Sequence, residues 1–247
     1  MKNHFVTLLI ASALGVFPVL QAKAHYVWIE SGGAQSRVQF GEFNKNLREV
    51  SPGRLDSIVP TTAMVVTGSG QKDLALTKTA NGFVGKSTAG PGESIIFDAN
   101  RQPVAEKMID GVTVRTAPTR SARYVSDFSA QTPLLTLDIV PTGRTLGTSV
   151  EFMVVFRDAP APKLKLAVVA ASGWERPLET GEKGMFLADF PCKGVYVIGA
   201  KHGEAVADTR DGHAYDKSGF RTTLSFSLTA GLESPPLPPV LTPKPVN

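Results

Sequence analysis

The sequence predicts an all-β protein of two sandwich lobes, and three observations carry that expectation. Short runs rich in Val, Ile, Phe and Thr recur along the chain, many alternating apolar and polar residues with period two, as in "SVEFMVVF" (149–156) and "TLSFSL" (223–228). Turn formers punctuate these runs. No amphipathic helical pattern longer than about three turns interrupts them.

Taken in order, strands are expected at "YVWIE" (26–30), "SRVQFGEF" (36–43) and "TAMVVTG" (62–68). "LALTKTANGFVGKS" (74–87) carries Asn81-Gly82, a strong signal for a tight hairpin. Between these, "LREVSPGRLDSIV" (47–59) allows at most a short helical turn, broken at Pro52-Gly53. "SIIFDAN" (94–100) reads as a strand, none is assigned between 101 and 133, and strands resume with "LLTLDIVP" (134–141). "VPTGRTLGTS" (140–149) lacks periodicity, which sets a lobe boundary near residue 143. The second block runs "SVEFMVVFRD" (149–158), "LKLAVVAAS" (164–172), "GMFLADFP" (184–191), "GVYVIGAKH" (194–202) and "RTTLSFSLTA" (221–230). The expected lobes are therefore residues 25–143 and 144–232, followed by a tail, 233–247.

Residues 1–24 have a charged start, an apolar run from Phe5 to Leu20 and a small-x-small close, Ala22-Lys23-Ala24. That pattern predicts a cleaved secretory signal peptide and a periplasmic or secreted protein. The apolar run is shorter than the roughly 20 residues that span a bilayer. Cleavage after Ala24 makes His25 the mature N-terminus. It also removes Lys2 and Lys23, leaving 24 of the 26 basic residues against 22 acidic ones, so the mature chain is near neutral. Without a basic cluster, nucleic acid is not an expected partner, nor is membrane insertion after cleavage. The lone cysteine, Cys192, cannot form an internal disulfide and is expected to be buried between strands. Six prolines among residues 233–247 predict an extended, disordered tail.

Several segments together resemble a periplasmic family of unassigned function, domain-of-unknown-function family 4198, often described as similar to nickel- or cobalt-uptake periplasmic components. They are the mature start "AHYVWIE", "VQFGEF" with its Gly-Glu pair, "LREV", "FRDAPAPKLKLAVVAASG", "TGEKGMF", "GVYVIGAKH" and "AYDKSGFRTTLSFSL". The resemblance implies immunoglobulin-like or transthyretin-like lobes, the second a small transthyretin-like Greek-key sandwich. It also implies a part in metal uptake.

The chemistry read from the residues centres on histidine. A mature N-terminal His25 offers its α-amine and ring nitrogen to one ion, and a second imidazole would complete a three-nitrogen set that copper accepts well. His202 ends a strand and His213 follows in a loop, so the three are expected to meet at one end of the sandwich. Glu204, Asp208, Asp211, Asp216 and Glu30 are nearby carboxylates in this reading. No CxxC or HExxH pattern suggests a closed zinc site, and no Gly-Ser segment has the strand–turn–helix context of a nucleophile elbow.

The leading expectation is thus a non-catalytic binder of copper, nickel or cobalt that serves metal uptake or delivery, with a membrane transporter or outer-membrane receptor as partner. One alternative is a structural or protein-binding envelope sandwich without metal. The other is a copper oxidase of the histidine-brace type, which the low Tyr and Trp content disfavours.

Overall fold

The computed structural model describes residues 25–245, and among them the protein is all-β. The signal-peptide expectation lies outside the described residues. Twenty strands follow in chain order: β1 (Tyr26–Gly32), β2 (Gln35–Glu42), β3 (Leu47–Arg48), β4 (Thr62–Thr67), β5 (Gly70–Asp73), β6 (Leu76–Thr79) and β7 (Gly82–Gly85). The middle of the chain gives β8 (Ser94–Ala99), β9 (Ala105–Ile109), β10 (Val112–Val125), β11 (Leu137–Leu146), β12 (Ser149–Phe156) and β13 (Ala159–Pro160). The rest are β14 (Lys165–Ala170), β15 (Glu175–Glu179), β16 (Met185–Ala188), β17 (Gly194–Glu204), β18 (Asp208–Arg210), β19 (His213–Tyr215) and β20 (Lys217–Leu228). Two single 3₁₀ turns, Phe43–Lys45 and Arg54–Ser57, are the helical content of the described residues.

Nine strands form one sheet in the order β15-β14-β17-β20-β10-β8-β4-β5, with β9 on β10. It is shared by both halves of the sequence, because β20 pairs in parallel with β10, from Thr116↔Lys217 to Tyr124↔Ser225. Smaller sheets cover its two faces. The alternation of β17 shows how: Tyr196, Ile198 and Ala200 join the core shared with β11, β12 and β16. Val195 and Val197 instead meet Trp28 and Phe43, on the face covered by β1 and β2. A further core beneath the same small sheet combines Val27, Ile29, Val38 and Phe40 with Ile95, Phe97 and Ala122.

This arrangement departs from the expected division in two ways. Residue 143 falls inside β11, at an irregularity between Pro141 and Thr145, and Leu137 and Ile139 of that strand belong to the core of the second half. The segment assigned no strand holds β9 and β10, the latter the longest strand among the described residues. Its "VTVRTAPTRSARYV" carries three arginines and Pro118, which masks the alternation. The proline is tolerated because it lies between the residues that pair with β9 (112–116) and those that pair with β8 (120–125).

Where β10 passes between the cores, Arg123 and Asp138 form a fully buried pair. Arg123 Nε and Nη2 donate to the two carboxylate oxygens at 3.1 and 2.6 Å, and Nη1 donates to Ser94 Oγ at 2.8 Å. Asp138 also accepts from the amides of Leu134 and Leu135. Every charged arm has a partner, the condition under which such a pair is tolerated in a core.

Two further expectations are corrected. Cys192 is half-buried rather than sealed between strands, since it lies in the connection before β17. The Tyr196 hydroxyl donates to its carbonyl at 2.9 Å and accepts from its amide at 3.0 Å. The proline-rich tail is extended but not free. Just before it Leu232 bridges to Cys192, and within it the Pro238 carbonyl accepts from Asn46 Nδ2 at 2.9 Å and Leu241 bridges to Leu47. Prolines supply no amide donors, so the docking uses their carbonyls and the non-proline amides of Leu232 and Leu241.

Candidate functional site around His25

β1 reaches its position through side chains of β20. On the face turned toward β1, Arg221 Nη1, Thr223 Oγ1 and Ser225 Oγ donate in turn to the carbonyls of His25, Val27 and Ile29, at 2.9, 2.7 and 2.6 Å. The spacing of two on both strands is the pleat period, so three alternate carbonyls on the side of β1 away from β2 are satisfied by one polar stripe. The "RTTLSFSL" pattern encodes this: Arg221, Thr223 and Ser225 face β1, while Leu224 and Phe226 face the opposite core.

The stripe sets His25 at the edge of the small sheet, buried, with its ring 5.5 Å from that of Phe40. The imidazole sits between two carboxylates. Nε2 is 2.5 Å from Glu49 Oε1, and Nδ1 is 3.4 Å from Glu42 Oε1. A carboxylate only accepts, so the Nε2 proton points to Glu49. The second Glu42 oxygen takes Lys45 Nζ at 2.6 Å. Glu49 Oε2 is buried without a hydrogen-bond partner among the described residues.

Local backbone explains how both carboxylates arrive. Glu42 follows Val38 and Phe40 at core-facing parity, and Glu49 comes back opposite Phe40, its amide donating to the Phe40 carbonyl at 2.8 Å. The reversal between them is tight at Gly41, which has φ +151°. A Cβ there would collide with the Leu47 carbonyl.

The other two predicted ligands lie elsewhere. His202 pairs across the ladder with Phe220, and its ring is 4.4 Å from that of Phe156, so it packs on the face opposite His25. Phe220 and Arg221 are consecutive on β20 and point to opposite sides, which puts the sheet itself between the two imidazoles. His213 is exposed in the β18–β19 hairpin, across from Arg210. The expected meeting of His25, His202 and His213 is not what the chain builds. Glu30 also points away, bonded to Trp28 Nε1 at 2.9 Å and Arg48 at 2.7 Å. Glu204 is held by Arg157, and Asp216 accepts the Arg115 amide. Among the described residues, no group of three or more His, Cys, Asp or Glu side chains forms a metal-ligating cluster.

Tyr26 and Trp28 form an edge-to-face pair over Val169 and Val197, a packing role. Burial pushes the Tyr26 hydroxyl far above the usual phenol range. Glu42 and Glu49 were the residues missed by sequence reasoning, although a carboxylate at the same parity as Val38 and Phe40 was a readable signal. No protein-family model matches the chain, and no curated protein matches it significantly.

Proposed function

We propose that the mature protein is a periplasmic or secreted, non-catalytic binder of a transition-metal cargo. In this reading it captures Cu(II), which suits the ligands, or Ni(II) or Co(II), to which the family resemblance points, through an N-terminal His25 for delivery to a membrane partner. One observation carries it: Glu49 fixes Nε2 of His25 while Nδ1 faces a second carboxylate, Glu42, at 3.4 Å. A carboxylate on the far ring nitrogen is the usual support of a metal-bound histidine. A gap of 3.4 Å also suits two donors that each lie about 2.0–2.1 Å from one first-row ion, at an angle of about 110°. The α-amine released by cleavage would be the third donor, and a backbone amine escapes any count of side chains. Glu49 Oε2, buried and unpartnered, adds negative potential beside the same ring.

This reading replaces His202 and His213 by Glu42. Copper tolerates the resulting mixed nitrogen and oxygen set, as does nickel. The test is calorimetric titration of Cu(II) and Ni(II) into the mature protein, compared with a form that keeps Ala24 and with Glu42→Gln and the His202→Ala/His213→Ala double variant. The Ala24-extended form should lose most of the affinity, and Glu42→Gln should weaken it by about tenfold or more. The double variant should bind as the parent does. Equal binding by the extended form would refute the proposal. Binding should also weaken in acid, because the imidazole and the α-amine must be deprotonated to ligate.

A further inference from the structure

Beside His25 lies a cavity of about 390 Å³ lined by His25, Phe40, Arg54, Ser57, Arg120 and Arg221, and not by Glu42 or Glu49. Two of its arginines are direct neighbours, since Arg120 of β10 and Arg221 of β20 share a register position in the parallel pair. Like charges opposite one another destabilise a sheet unless something offsets them. Nothing in the fold does so. Among the described residues, neither arginine has a carboxylate within ion-pair distance, whereas Arg123, three residues along the same strand, is fully matched by Asp138.

The environment of Arg120 sharpens the contrast. Its guanidinium lies 5.4 Å over the Phe40 ring, which holds the group in place without neutralising it. Its Nε–H is buried and has no acceptor among the described residues. Arg221 spends one Nη1 hydrogen on the His25 carbonyl and keeps the remaining donors of its fork. Arg54 and Ser57 are exposed on the 3₁₀ turn at the rim, where a third cation and a hydroxyl face an arriving ligand. Native proteins rarely leave a buried donor such as the Arg120 Nε–H unmatched.

We propose that this cavity binds a small, multiply charged oxyanion, an inorganic phosphate or a phosphate- or carboxylate-bearing molecule, held between the forks of Arg120 and Arg221 with Arg54 at the entrance. Arginine forks match the planar edge of a carboxylate or two oxygens of a phosphate, and charge-assisted bonds of this kind are about twice as strong as neutral ones. Phe40 and His25 complete the lining. The inference does not rest on metal binding by His25.

The test is titration of inorganic phosphate, and separately of citrate, into the metal-free mature protein at low ionic strength, with chloride as the control anion. Saturable one-to-one binding of phosphate or citrate is expected, and whichever binds more tightly identifies the ligand class. Arg120→Met and Arg221→Met should each weaken binding by about tenfold or more, and the exposed Arg54→Met by less. Arg101→Met, on the surface elsewhere, should leave it unchanged. The parent alone gives a second readout, because phosphate or citrate should raise its thermal midpoint above that in chloride of equal ionic strength. Absence of saturable binding for both anions together with no midpoint shift would overturn the proposal. So would full affinity in the Arg120→Met/Arg221→Met double variant.

Discussion

Replacing Arg120 by methionine should make the ligand-free protein more stable. Burial, with Arg221 alongside, pushes the Arg120 guanidinium down to about 10. Against an ordinary value of at least about 12.5, and at about 1.4 kcal/mol per pKa unit, the charged form is penalised by about 3 kcal/mol in the fold. Methionine keeps most of the stem and removes that penalty. It forfeits the cation–π contact with Phe40, about 0.5–2 kcal/mol. The net gain is therefore about 1–2 kcal/mol, or a midpoint rise of about 3–6 °C for a chain of this size. Thermal unfolding at pH 7 in a buffer free of phosphate and carboxylate measures it. The pH dependence adds an independent check. Between pH 10 and the unfolded guanidinium value the unfolded chain holds the extra proton, so the parent should gain stability as pH rises through that window, and Arg120→Met should lose this gain. A variant that unfolds at least 3 °C below the parent would refute the idea that Arg120 is held at a cost to the fold.

Other outcomes follow from the packing. Asp138→Ala leaves Arg123 charged and unpaired at zero exposure, and should cost about 3–5 kcal/mol in urea unfolding. Gly41→Ala forces the Gly41 Cβ against the Leu47 carbonyl, and should both destabilise the protein by more than about 1 kcal/mol and weaken metal binding by displacing Glu42. Tyr196→Phe removes both bonds to the Cys192 backbone; a loss of about 1–2 kcal/mol is expected in denaturant unfolding, with faster labelling of Cys192 by a thiol reagent under native conditions.

Local pattern carried the fold class. Alternation in "SVEFMVVF" and "TLSFSL" matches β12 and the end of β20, and the hairpin expected at Asn81-Gly82 joins β6 to β7, turning on Ala80 and Asn81 with Gly82 already paired to Thr79. What could not be read locally was pairing. The parallel register of β10 with β20 joins residues about a hundred positions apart, and nothing in "VTVRTAPTRSARYV" announces a central strand, because its inward positions include Arg120 and Arg123. The site was half legible. His25 stood out as a prospective N-terminus, but His202 was grouped with it on proximity to a strand end. Parity would have separated them: Tyr196, Ile198, Ala200 and His202 alternate onto one face of β17, the face turned away from β1. The cation pair at Arg120 and Arg221 was invisible, since it exists only once two distant strands are laid side by side.

The stripe of Arg221, Thr223 and Ser225 under β1 also governs the order in which the molecule can be made. The first described strand finds its hydrogen-bond donors 196 residues later, on the last one. Loop closure over such a span adds little to the equilibrium cost, about 0.6 kcal/mol for each doubling of length. It delays the event, because distant contacts form only after the chain between them is organised. A nascent chain that has not yet released β20 has no seat for β1, no neighbour for Arg120 and no settled place for His25. The polypeptide therefore stays open at this seam until its end arrives. Chains truncated before residue 217 should remain protease-sensitive at the N-terminal strand, and protection of that strand in such a chain would contradict this order of assembly.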